Sequence, residues 1–115
     1  MTTPTIDRAT FAALAETTGA EFARELIDTF LQEAPVMLSE LRRATTAQDA
    51  GAFRRAAHSL KSNANTFGAV DLGAMARALE VEGATMTDEQ KEHSLAALDE
   101  EYARVALALE GLRDE

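Results

Sequence analysis

Apolar residues return every three or four positions along almost the whole chain, and no stretch alternates strictly or gathers β-branched residues into a short run. That period is helical, so the pattern predicts an all-α fold. Asp7 is placed to cap a short first helix through about Thr17, with Gly19 ending it. A long second helix follows from about Ala20 to Thr45, with Phe22, Leu26, Phe30, Met37, Leu38 and Leu41 as its buried stripe. Pro35 falls inside this pattern, where it removes a backbone donor and crowds the preceding turn. A kink near Ala34 or two abutting helices are expected there, with a loop as the alternative.

Asp49 is a good N-cap for a third helix that continues to Gly68, a residue that tolerates positive φ. Asp71 can open a fourth helix with Leu72, Met75, Ala76 and Leu79 inward, closing near Gly83. Thr87 or Asp88 can cap a fifth, whose apolar positions include Leu95, Leu98, Tyr102, Val105, Leu109 and Leu112. Four substantial helices with short connections predict an antiparallel four-helix bundle with a short extra N-terminal helix, one domain over residues 1–115.

Composition narrows the class. With 46% apolar and 27% charged residues, neither a disordered nor a membrane chain fits. Cysteine is absent, which removes disulfides, thiol catalysis and cysteine-ligated zinc, and makes a reducing compartment the natural expectation. No apolar run approaches the roughly 20 residues of a membrane span. The start "MTTPTIDRAT" lacks the charged and apolar regions of a signal peptide, so the expected location is cytoplasmic.

The net charge of -9 argues against a nucleic-acid partner, which needs a basic footprint. The charge is unevenly spread. Residues 1–41 carry two bases and seven acids, residues 42–77 six bases and two acids, and residues 78–115 three bases and eleven acids. A basic island on an acidic body suits a small anionic group, or an acidic partner met at one place.

That island contains "RRAAHSLKSNANTFGA", Arg54 to Ala69, with one of the two histidines and no acidic residue. Phe53, Ala57, Leu60, Ala64 and Phe67 follow one another at steps of four and three and mark the core face of the third helix. His58 is turned about 100° from Ala57, so it stands at the edge of the stripe with its ring tip in water. Its neighbours three and four residues away are Arg54, Arg55, Lys61 and Ser62.

A general-base histidine usually has a carboxylate to orient it, yet Asp and Glu are missing from Ala50 to Val70, which argues against a triad built from local residues. A zinc site would want further ligands at helical spacing, and His93 lies in the polar run "DEQKEHSL" with the character of a surface residue, so no metal is expected. What remains is the imidazole as a nucleophile in its own right. For a phosphoryl group, Lys61 one turn along could hold the added charge, and Ser62 leaves space beside the ring. Asn65, one turn beyond Lys61, is the further residue suited to partner contact.

"AHSLKSNANTFGA" closely resembles the central motif of the histidine-containing phosphotransfer (HPt) domain family. In that motif a phosphorylatable histidine is followed three residues later by lysine, then by a small residue, and ten residues on by Gly-Ala. His58, Leu60, Lys61, Gly68 and Ala69 match in register. The likeness extends more loosely to a long helix containing "FLQEAPVMLSELRRA", an Asp before the histidine helix, and "ALE" at Ala78 to Glu80. The position after the lysine is most often glycine in the family and is Ser62 here, which keeps access and adds a hydroxyl.

The resemblance implies a phosphocarrier of a multistep phosphorelay rather than an enzyme. His58 would take a phosphoryl group on Nε2 from a receiver-domain aspartate and pass it to another receiver. The implied partners are response-regulator receiver domains and a hybrid histidine kinase. Mg2+ would belong to the receiver, with no cofactor on this chain, in keeping with the lack of a Gly-rich phosphate loop or an acidic metal cluster in the sequence. Lys61 would support the phosphate, Arg54, Arg55, Ser62 and Asn65 would serve access and docking, and Gly68 and Ala69 would complete the motif and end the helix. A monomer is expected, because one bundle consumes the apolar stripes. The competing reading is a module that docks on a receiver or kinase without taking phosphate.

Overall fold

The computed structural model describes residues 4–115; the first three residues of the N-terminal stretch read above for a leader lie outside the described residues. Five α-helices follow one another: α1 (Arg8–Thr18), α2 (Ala20–Ala47), α3 (Ala50–Thr66), α4 (Val70–Glu82) and α5 (Asp88–Arg113). A single 3-10 turn, Gly83–Thr85, joins the last two, and there is no strand among the described residues.

Three helices start where a side chain can satisfy a free backbone N–H. Asp7 accepts from Ala9 N and Asp49 from Ala52 N, and Thr87 forms a reciprocal capping box with Gln90. The start of α4 differs from expectation. It begins at Val70 behind Ala69 with no side-chain cap, and Asp71 sits inside the first turn, where its charge meets the positive end of the helix. The turn that closes α3 already delivers the chain into α4. Gly68 N–H donates to the Asn65 carbonyl at 3.1 Å and Ala69 N–H to the Ala64 carbonyl at 2.9 Å, with Gly68 at φ 81°. This is a Schellman closure with glycine in the left-handed position, and it folds α4 back along α3.

α2 runs unbroken through Pro35, against the expectation of abutting helices or a loop. Proline cannot donate to the carbonyl one turn earlier, that of Leu31. The hydroxyl of Tyr102 on α5 points at that oxygen, at 3.5 Å, and supplies the replacement donor. The Tyr102 ring also meets Phe30 edge-on, with 6.1 Å between centroids, and Phe30 in turn packs against Phe67 at 5.3 Å. The break is avoided because a neighbouring helix answers the orphan group.

The long helices contact one another in a closed ring, α2 on α3, α3 on α4, α4 on α5 and α5 on α2, with α1 laid against α2 and α3. Their directions alternate. On α2 and α5, Arg42 pairs with Asp99 while Arg113 pairs with Asp28, which fixes an antiparallel register. The core holds Ile27, Leu41, Leu60, Leu72, Leu98, Val105 and Leu109 fully buried, together with the predicted α3 stripe from Phe53 to Phe67. Phe22 is the exception in the predicted α2 stripe. It is 49% exposed, because the buried face passes through the adjacent Ala23 and on through Ile27, Phe30 and Ala34. Leu26 and Met37 only flank that face. No helix is long and apolar enough to cross a membrane among the described residues.

Candidate functional site

His58 projects from the middle of α3 with 56% of its side chain exposed, on the solvent edge of the stripe as its helical angle requires. Ala57, the residue before His58, and Leu60, two residues after it, are fully enclosed, so the backbone beneath the ring is anchored in the core.

The carboxylate that α3 lacks arrives from α4. Glu80 Oε2 lies 2.7 Å from His58 Nδ1, and Glu80 Oε1 accepts from Lys61 Nζ at 2.8 Å. One carboxylate thus bridges two side chains a turn apart on α3. Glu80 is mostly enclosed, with 19% of its side chain exposed, and Lys61 is 24% exposed. The hydrogen bond from Lys61, and after it the one from His58, hold the Glu80 carboxyl below its ordinary value.

The antiparallel seam explains this placement. His58 and Asn65 stand two turns apart on α3, and Glu80 and Gly73 two turns apart on α4. Asn65 Oδ1 lies directly over Gly73, so close that a Cβ there would overlap it. When Asn65 meets Gly73, Glu80 falls beside His58. The link of Glu80 to His58 is present in the sequence only as a helical spacing on a second helix, although Glu80 itself closes the "ALE" of the family likeness. It becomes readable once the tight α3–α4 turn is known.

The remaining predicted residues divide. Arg54, Arg55 and Ser62 are exposed on α3 around His58. Neither Arg54 nor Arg55 has a carboxylate in ion-pair range among the described residues, whereas Arg42, Arg43, Arg104 and Arg113 are all so paired. Asn65 is exposed but leans on Gly73. Gly68 and Ala69 are buried in the turn, away from the ring, and their part is structural. Asn63 and Thr66 bond back to the carbonyls of Ser59 and Ser62 one turn earlier.

Sequence reasoning did not single out the surfaces beside His58. A shallow groove between α2 and α3 is lined by Val36, Met37, Glu40, Arg55, Ala56 and Ser59, with Val36 openly exposed. On the other side Arg54, Phe53, Glu80 and Lys91 line a second groove, where Lys91 Nζ sits 4.9 Å above the Phe53 ring. Among the described residues no cluster of three His, Cys, Asp or Glu could hold a metal ion.

Set against known proteins, the chain matches the Hpt domain model over residues 25–115, which takes in most of α2 and all of α3, α4 and α5. None of the curated proteins matches the sequence. Among solved structures it is similar to histidine-containing phosphotransfer protein B (HptB) from Pseudomonas aeruginosa PAO1, at 29% identity and a TM-score of 0.87 over 98% of this chain and 97% of that one. The exposed histidine on a bundle helix, the lysine one turn on and the glycine that closes the helix all lie within the matched residues, and the chain belongs to the Hpt domain family.

Proposed function

We propose that this chain is a phosphocarrier whose acceptor is Nε2 of His58. It takes a phosphoryl group from the aspartate of one receiver domain and yields it to the aspartate of another, acting in the cytoplasm as a monomeric module over residues 1–115. The observation that carries the reading is the half-exposed imidazole at the centre of a rigid helix, engaged on Nδ1 and open on the other nitrogen, within the basic part of an acidic molecule.

The chain's part is to present a nucleophile and a docking face. The α2–α3 groove beside the ring offers apolar contact through Val36 and Met37, and Arg54 and Arg55 offer cations not engaged elsewhere among the described residues, which suits an acidic receiver surface. Lys61 lies one turn from His58 and meets the charge of the incoming group. The magnesium ion and the acidic cluster that binds it belong to the receiver, and the chain needs no ATP site of its own.

The test is transfer from a radiolabelled phosphorylated receiver, with magnesium, to the wild-type chain and to His58→Gln. Wild type should gain acid-labile, alkali-stable phosphate and His58→Gln none. Label surviving in His58→Gln would sink the assignment, and a panel of receivers that bind but label neither protein would make the chain a docking module.

A further inference from the structure

We propose that Arg77 on α4 is the cation that holds the phosphoryl group once it sits on His58, reaching across the α3–α4 seam to the phosphoryl oxygens and stabilising the phosphorylated chain. The inference rests on the reading of His58 as the acceptor.

When the Nε2 lone pair makes the N–P bond, the P–O bond to the receiver's aspartate breaks, its electron pair stays on that carboxylate, and the ring keeps its own proton. The chain gains a group that carries more than one negative charge at neutral pH. Lys61 cannot answer it alone. Its Nζ is bound to Glu80 Oε1 at 2.8 Å, and only 24% of its side chain is exposed. The Lys61–Glu80 pair is close to neutral before transfer, so the added charge calls for a further cation.

The register of the seam supplies one. His58 meets Glu80 and Asn65 meets Gly73, so each step along α3 is matched by one step back along α4. Lys61, three residues after His58, is therefore level with Arg77, three residues before Glu80. On α4 the buried line passes through Leu72, Ala76 and Leu79, and Glu80 is turned from Leu79 toward α3. Arg77 is turned from Ala76 in the same sense and stands at the outer rim of that side. The two helices are close here, since Asn65 lies directly over Gly73, one turn from Arg77. From this rim the guanidinium can cross over the small, exposed Ser62 to a group on the ring, and its fork matches two phosphoryl oxygens. Arg77 is also free. It is exposed, and no carboxylate lies in ion-pair range of it among the described residues, Glu80 one turn along included.

The equilibrium of the transfer separates this role from docking. The ratio of phosphorylated chain to phosphorylated receiver depends on the free energies of the separated proteins, so a residue that only contacts the receiver slows both directions alike and leaves the ratio unmoved. With a phosphorylated receiver that labels the wild-type chain, Arg77→Gln should lower the equilibrium constant for phosphorylation of the chain about fivefold, the upper scale of one exposed charge pair. Arg77→Lys, which keeps the charge and loses the fork, should recover part of it. Both variants should keep the wild-type urea midpoint, because the side chain is exposed. In the full chain loaded with phosphoramidate, a phosphoryl donor that needs no receiver, 31P NMR should place the second ionisation of the phosphoryl group higher in Arg77→Gln than in wild type, since a nearby cation favours the dianion. An equilibrium constant equal to that of wild type would overturn the inference, and slower transfer in both directions would then mark Arg77 as a docking residue. An unmoved phosphoryl titration would overturn it as well. A wild-type chain that gains no label from receivers or from phosphoramidate would overturn the reading of His58, and this inference with it.

Discussion

Asp7 and Gly68 meet backbone to backbone. The Asp7 N–H donates to the Gly68 carbonyl at 2.8 Å, and a Cβ on residue 68 would lie 2.8 Å from the Asp7 carbonyl oxygen. The glycine that ends the histidine helix therefore also seats the start of α1 against the α3–α4 turn. Its φ of 81° is costly for any other residue. Gly68→Ala combines both penalties and should destabilise the fold by about 2 kcal/mol or more, read as a lower urea midpoint at unchanged slope.

The turn that ends α2 uses the same closure with the wrong residue. Asp49 N–H donates to the Ala44 carbonyl at 2.9 Å, and Gln48 takes φ 54°, the only non-glycine residue with positive φ among the described residues. Gln48→Gly relieves that strain and should stabilise the fold by up to about 1 kcal/mol. Removing glycine at one matched turn and adding it at the other should move stability in opposite directions, and urea unfolding of both variants checks the backbone account directly.

Pro35 and Tyr102 are joined through the Leu31 carbonyl, and a double-mutant cycle isolates that link. Tyr102→Phe removes the donor and leaves a part-buried carbonyl without a partner, which should cost about 1 kcal/mol. Pro35→Ala restores the helix's own donor and should raise stability. In the Pro35→Ala background the loss from Tyr102→Phe should shrink to a few tenths of a kcal/mol, read by thermal or urea unfolding. An unchanged loss would mean that the hydroxyl serves something other than the proline gap.

That case shows where sequence reasoning stops. Helices, their order and most of their ends are legible, because period and capping are local: Asp7, Asp49, Thr87 and Gly68 act within a few residues of themselves. His58 and Lys61 are legible for the same reason, one helical turn apart on a recognisable register. The rescue of Leu31 by Tyr102 and the arrival of Glu80 at His58 are not, since each joins residues far apart in the chain through helix docking. Phe22 fails differently. The four-residue spacing it shares with Leu26 and Phe30 places it in the stripe, while the packing admits the small Ala23 next to it and turns the larger ring outward.

Arg54 and Arg55 stand free of carboxylate partners beside His58 on a chain of net charge -9. Cations left unpaired at one place on an acidic body act mainly on encounter with an oppositely charged surface. Arg54→Glu with Arg55→Glu should slow association with a phosphorylated receiver about tenfold at low salt, and the gap should narrow as ionic strength approaches about 0.5 M. Stopped-flow association at several salt concentrations reads this. A deficit that persists at high salt would point to lost packing in place of lost steering.

The Glu80 carboxyl titrates below its ordinary value of 4.5 because it accepts from Lys61 and, second, from His58. A carboxyl whose folded value is depressed adds stability that is complete above the unfolded value and is lost as pH falls through the folded one. The Glu80 contribution should therefore be constant at neutral pH and disappear only in acid, below about pH 4.5. In 13C NMR of the side-chain carboxyls, the Glu80 midpoint should lie below 4.5 in wild type and move up in Lys61→Ala, where the larger of its two donors is gone. The melting-temperature difference between wild type and Glu80→Gln should close over the same acid range. A Glu80 midpoint at or above 4.5, or one indifferent to Lys61→Ala, would mean that the bridge seen across the α3–α4 seam does not persist in solution.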